Sequence, residues 1–164
     1  MQNRQRTKSH KQPTTYSAFD TAIYYLTFRD RSRKELCDKL TEKGYEEAEI
    51  TETIEKLMSY GYINDERYAT SYIRSQMRGK GRWRITMELS GKGVDSEMTR
   101  ELCTELVPDE AETIYDLLER RYGNLNFTDE GQMRRMYSFF ARRGFRYEDI
   151  RRAVSEYRKN IEKI

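Results

Sequence analysis

Apolar side chains return along this chain with two periods, one nested in the other. The short period is helical. Phe19, Ala22, Ile23 and Leu26 recur at the three- and four-residue spacing of one helix face, which predicts a helix over about 16–28. Ser32 followed by Glu35 has the spacing of a capping box, so a second helix starts there and runs through Leu36 and Leu40 to Lys43. Gly44 can supply the left-handed residue that ends it. A third helix carries Ile50, Ile54, Leu57 and Met58 and stops near Gly61.

The long period is about 50 residues. Leu36, Leu40, Gly44, Tyr45, Ile50 and Ile54 are answered by Met136, Phe140, Gly144, Phe145, Ile150 and Val154, apolar for apolar and glycine for glycine. Between them Ile85, Leu89, Gly93 and Val94 repeat the first four; one residue is then missing before Met98 and Leu102 resume the pattern. In this second copy Ile63-Asn64-Asp65 starts a helix carrying Ala69, Tyr72 and Ile73, with Ile63 placed to staple onto Tyr68. Helices over about 82–91 and 95–106 follow, and Pro108 breaks the chain. The third copy opens with Ala111, Ile114, Tyr115 and Leu118 and continues with helices over about 129–143 and 146–161. No strand pattern competes.

The fold class predicted is therefore all-α, three tandem three-helix repeats over 16–61, 62–107 and 108–164, preceded by a disordered basic tail over 1–15. Helices this short, about 18–22 Å long, are marginal alone in water, so each repeat depends on packing within itself and on its neighbours. Stacked side by side, the repeats are expected to form an elongated curved array about 60 Å long.

Composition supports helices and thin cores: nine Gly and two Pro, 36% charged residues and a mean hydropathy of -1.03. The net charge of +3 conceals blocks. Residues 74–92 hold six cations against Glu88 alone, a local +5, and residues 134–152 hold seven Arg against Glu148 and Asp149, again +5. Between them, residues 95–119 hold nine acids against Arg100. A positive strip beside a negative remainder points to phosphate or to an acidic protein surface as partner. Cys37 and Cys103 have no CxxC companion and sit in apolar helical patterns, as small core residues of a reducing compartment do. With no long apolar run and no leader pattern, the expected location is the cytoplasm, away from membranes.

Chemistry is hard to assemble from these residues. The single histidine, His10, lies in the expected tail, so neither a catalytic site nor a metal site is expected, and no cofactor. Gly79-Lys80-Gly81 and Gly91-Lys92-Gly93 lack the strand and the spacing of a phosphate loop. The cations are more informative. Lys43, Lys92 and Arg143 each precede the repeat glycine, where a cation complements a helix C-terminus. Lys80, Arg82 and Arg84 crowd a helix start, against the local dipole, and Arg134, Arg135, Arg142 and Arg143 share one helix. Such placement predicts contact with an external anion, so these nine cations form the expected DNA- or filament-binding strip. Trp83, among the arginines, can stack on an unpaired base or pack between repeats.

Three stretches carry a family likeness. Tyr62-Ile63-Asn64-Asp65-Glu66-Arg67-Tyr68-Ala69, with Gly81-Arg82-Trp83-Arg84-Ile85 and Glu88-Leu89-Ser90-Gly91-Lys92-Gly93-Val94, resembles the central signature of RecX proteins. Tyr25-Leu26 through Arg31-Ser32-Arg33-Lys34-Glu35-Leu36 resembles that family's opening unit, and Phe139-Phe140-Ala141-Arg142-Arg143-Gly144-Phe145 its closing one. Arg82 stands where members often have proline, and Trp83 fills a variable place. The likeness spans about 17–157. It implies a non-enzymatic regulator of DNA repair that binds the RecA recombinase filament along its groove, in recombination and the SOS response. Strand exchange, ATP hydrolysis and co-protease activity are what it is expected to inhibit. The expected partners are RecA and single- and double-stranded DNA without sequence preference, and the expected state is a monomer. The rival reading is a stand-alone helix-turn-helix DNA-binding protein; its cations would then confer salt-resistant preference for one duplex, where phosphate contact gives salt-sensitive, sequence-blind binding.

Overall fold

The computed structural model describes residues 15–107 and 109–162. The break expected at Pro108 and all but the last residue of the expected tail over 1–15 fall outside them. Among the described residues there are nine helices and no strand: α1 (Ala18–Phe28), α2 (Arg33–Lys43), α3 (Glu47–Ser59), α4 (Asp65–Gln76), α5 (Arg82–Gly91), α6 (Ser96–Leu106), α7 (Glu110–Arg121), α8 (Glu130–Arg142) and α9 (Tyr147–Ile161). They form three separate three-helix cores. The chain divides after Asn64 into two compact units.

The first unit is α1–α3. Ser17 caps α1 by accepting from the Asp20 amide, and the box expected at α2 is complete: the Glu35 amide donates to Ser32 Oγ at 3.1 Å and the Ser32 amide to Glu35 Oε2 at 3.2 Å. Ala18, Ala22, Leu36, Leu40, Ile50, Ile54, Leu57 and Ile63 make the core. Ile63 thus differs from expectation. The staple placed it with Tyr68 in the second repeat, but the turn after α3 draws it back: the Tyr62 amide donates to the Leu57 carbonyl at 2.9 Å, and Ile63 is buried with α1–α3.

The repeat glycine closes the middle helix in the same way three times. Gly44, Gly93 and Gly144 have φ of 92°, 76° and 82°, a region in which any side chain crowds the following carbonyl. Each glycine amide reaches back three residues, to Thr41, Ser90 and Ala141. The next amide reaches back five, from Tyr45 to Leu40, Val94 to Leu89 and Phe145 to Phe140. The hydrophobic partner one turn earlier is fully buried in every copy: Leu40, Leu89 and Phe140.

One register assignment is corrected. No residue is missing in the second copy. The N-caps Glu46, Asp95 and Arg146 correspond with constant spacing, and the buried residues of α6 are Thr99 and Cys103, while Met98 and Leu102 lie half-buried at the edge. Thr99 can be buried because its hydroxyl donates to the Asp95 carbonyl at 2.7 Å, leaving no unmatched polar atom.

The second unit holds two repeats, α4–α6 and α7–α9, joined where the start of α5 meets the end of α8. The Gly81 amide donates to the Arg143 carbonyl at 2.9 Å. The main chains are so close that a methyl group on Gly81 would strike the carbonyl of Gly144, and one on Gly144 would sit 2.6 Å from the Arg84 amide nitrogen. Gly61 is the internal comparison, left-handed at φ 71° with open space around it. Gly61→Ala should therefore cost only the left-handed penalty, about 1–2 kcal/mol. Gly144→Ala should add an overpacking cost of about 1–3 kcal/mol to a similar penalty, and Gly81→Ala should carry the overpacking cost alone. Urea unfolding of the three variants, followed by circular dichroism, checks the order.

Candidate nucleic-acid interface

The cations at the start of α5 face an anion, and it is internal. Glu88, one and two turns into the helix, accepts from Lys80 Nζ with both oxygens (2.9 and 2.7 Å), from Arg84 Nε at 2.9 Å and from the Tyr72 hydroxyl of α4 at 2.7 Å. Burial alone would raise this carboxyl; the hydrogen bonds from Lys80, Tyr72 and Arg84 outweigh it and bring Glu88 down to about 2. Tyr72 is pushed up, by burial first and then by its bond to the carboxylate.

The open N-terminus of α5 is satisfied from the next repeat. Gly81 has no side chain to cap it, and Glu110, the first residue of α7, accepts the Arg82 amide at 2.6 Å. Arg82 itself turns back to donate to the Val107 carbonyl at 2.8 Å. Glu110 is buried, and burial raises its carboxyl despite that amide and the Arg82 guanidinium. Arg143 is similarly occupied. Its Nη1 donates to the Gly79 carbonyl at 3.1 Å and its guanidinium lies 4.2 Å from the centre of the Phe139 ring. Lys92 sits over the Tyr72 ring at 5.7 Å. Lys80, Arg82, Arg84, Lys92 and Arg143 therefore fasten the second unit together. Lys43 is exposed in the last turn of α2, in the first unit.

Three of the expected cations of the second unit remain exposed outside these contacts. Arg134, Arg135 and Arg142 are exposed on α8, and none of them makes an ion pair among the described residues. At 100° per residue they fall within about a third of the helix circumference, opposite Met136 and Phe140 in the core. Arg134 shares its face with Ser138 and Ala141, which line an open cleft of about 970 Å³ between the two repeats of the second unit. Trp83 from α5 and Tyr147 from α9 also line it, 60% and 65% exposed. Trp83 is thus not wedged in a core. Pattern reading did not single out Arg100, Arg146 or Tyr147 of the cleft, nor Glu110; the acidic surroundings of Arg100 and the N-cap place of Arg146 hid them.

Among the described residues no group of His, Cys, Asp and Glu could hold a metal ion, and no helix is long and apolar enough to cross a membrane. Cys103 is buried and Cys37 half-buried, both as free thiols.

Family comparison decides the relationship. Models of the first, second and third three-helix domains of RecX match residues 18–57, 64–101 and 108–154. The chain belongs to the RecX family. It is 33% identical over 145 residues to the regulatory protein RecX of Vibrio vulnificus, covering 88% of this chain and 95% of that one. The Stenotrophomonas maltophilia protein of the same name is also 33% identical, with 88% and 89% covered. The crystal structure of RecX from Lactobacillus salivarius superposes with a TM-score of 0.73 at 31% identity, over 85% of this chain and 94% of that one.

Half-buried Glu88 and buried Glu110 should respond oppositely to pH. Glu88 is depressed in the fold, so its contribution is complete above about 4.5 and is lost as pH falls toward about 2. Glu88→Gln should cost about 1.5–3 kcal/mol at neutral pH, the range for hydrogen bonds to a charged group, and the difference from the parent should shrink toward pH 2. Glu110 is raised, so its charge opposes folding at neutral pH; Glu110→Gln keeps an acceptor for the Arg82 amide and should be neutral or stabilising there. Denaturant midpoints from pH 7 down to 2 test both.

Proposed function

We propose that this chain is a non-enzymatic regulator that binds RecA recombinase filaments on DNA and restrains strand exchange, ATP hydrolysis and co-protease activity. The reading rests on membership of a family whose members are named regulatory proteins and on one observation. Arg134, Arg135 and Arg142 are exposed together on α8 and make no ion pair among the described residues, while Lys80, Arg82, Arg84, Lys92 and Arg143 are engaged internally. An unpaired arginine cluster on a rigid helix suits phosphate, to which guanidinium groups bind in a forked geometry. Such contacts are blind to base sequence and strongly weakened by salt. Two compact units on one chain can engage neighbouring positions of a filament, each raising the effective concentration of the other.

The test is RecA ATP hydrolysis on single-stranded DNA, with the protein at substoichiometric ratio. The parent chain should slow hydrolysis. The triple variant Arg134→Glu, Arg135→Glu, Arg142→Glu, folded because all three side chains are exposed, should lose the effect. Its salt slope for DNA binding should fall by about three for three phosphate contacts removed. Full inhibition by the triple variant contradicts the proposal.

A further inference from the structure

The structure assigns the cleft between the two repeats of the second unit to an unpaired nucleotide, with its base stacked on Trp83 and its phosphate held by Arg100 and Arg146. This deepens the proposal above and rests on it, since the cleft continues the face that Arg134 shares with Ser138 and Ala141.

Four observations converge. First, the cleft has the volume of a small-molecule site, about 970 Å³ against a usual range of roughly 300–1,000 Å³. Second, each repeat contributes a ring to it. Trp83 comes from α5 and has no ring partner among the described residues. Tyr147 comes from α9 and stacks on Tyr137 of α8 with centres 5.4 Å apart. Third, the acids at the cleft accept hydrogen bonds from within the protein, while two of its arginines donate none among the described residues; Arg146 is within coulombic reach of Glu110. Asp109 and Asp149 both accept from Arg152, at 2.6 and 2.9 Å, and Glu110 accepts the Arg82 amide. Arg100 and Arg146 are exposed, and their side chains make no hydrogen bond or ion pair among the described residues. Fourth, a flat apolar ring beside unpaired guanidinium groups matches a base with its phosphate. The paired base of a duplex has no free face to offer, so the occupant is single-stranded. Stacking needs only a π face, so the site is tolerant of base identity.

Trp83 is the one tryptophan in the sequence, so its emission reports this cleft alone. The full chain is titrated at low salt with a short oligothymidylate and, separately, with an abasic oligonucleotide of equal length and charge. Oligothymidylate should quench Trp83, and the abasic chain should bind without quenching. By anisotropy of labelled oligothymidylate, Trp83→Ala should weaken binding about fivefold to a hundredfold, the range for one base on one ring, and Trp83→Phe should restore most of it. The double variant Arg100→Gln, Arg146→Gln should weaken binding severalfold and leave the quench at saturation unchanged. Unchanged Trp83 emission on binding, or equal affinity of Trp83→Ala and parent, overturns the cleft assignment and leaves the α8 reading standing. Unaltered oligonucleotide binding by the triple α8 variant defeats the α8 reading instead, and no binding by the parent defeats both. Emission that responds to RecA alone and not to DNA assigns the cleft to a protein segment and overturns the proposal.

Discussion

Gly81 and Gly144 bring two stretches of main chain, 63 residues apart in sequence, closer than any side chain allows. Nearly everything distinctive about the second unit follows from that approach. It puts the Gly81 amide on the Arg143 carbonyl and the Arg143 guanidinium on the Gly79 carbonyl. It also leaves the N-terminus of α5 open to Glu110 from the next repeat. Two small three-helix cores, each with few buried residues, become one compact body, and the cleft lined by Trp83 and Tyr147 is the space left beside the junction. Neither core alone could hold α5 and α8 in that relation.

The same junction sorts the cations. A strongly basic segment at a helix start is an electrostatic liability unless an anion is present, because the helix N-terminus is itself positive. Glu88 and Glu110 are those anions, and they absorb Lys80, Arg82 and Arg84 into the scaffold. Of the nine cations expected to meet an outside partner, the scaffold engages five: Lys80, Arg82, Arg84, Lys92 and Arg143. Electrostatic recognition depends on which charges are left unpaired, and around the start of α5 that is decided by half-buried Glu88 and buried Glu110.

Much of this architecture was legible in the sequence because the repeat carries its own punctuation. Gly44, Gly93 and Gly144 each follow a middle helix and each take the left-handed conformation, and Ser32 with Glu35 marks a helix start without ambiguity. The failures have physical causes. Met98 and Leu102 are more hydrophobic than Thr99 and Cys103, so hydrophobicity alone picked the wrong face of α6; Thr99 is buried because it satisfies its hydroxyl locally. Ile63 was assigned forward to Tyr68 and packs backward into the first core. The roles of Gly81 and Glu110 rest on contacts across some 30 to 60 residues, which no local pattern encodes. The cations around position 82 were expected to meet an external anion and meet Glu88 and Glu110 instead, because a sequence cannot tell an internal anion from an external one.

The dependence of the second unit on the α5–α8 junction is most directly tested by native-state hydrogen exchange. The Gly81 amide should be strongly protected although it precedes its helix, and it should open together with the amides of Leu89 and Phe140 in the cores on either side. A Gly81 amide that exchanges at a nearly unprotected rate, while Leu89 and Phe140 stay closed, would show that the two repeats are held together by something else.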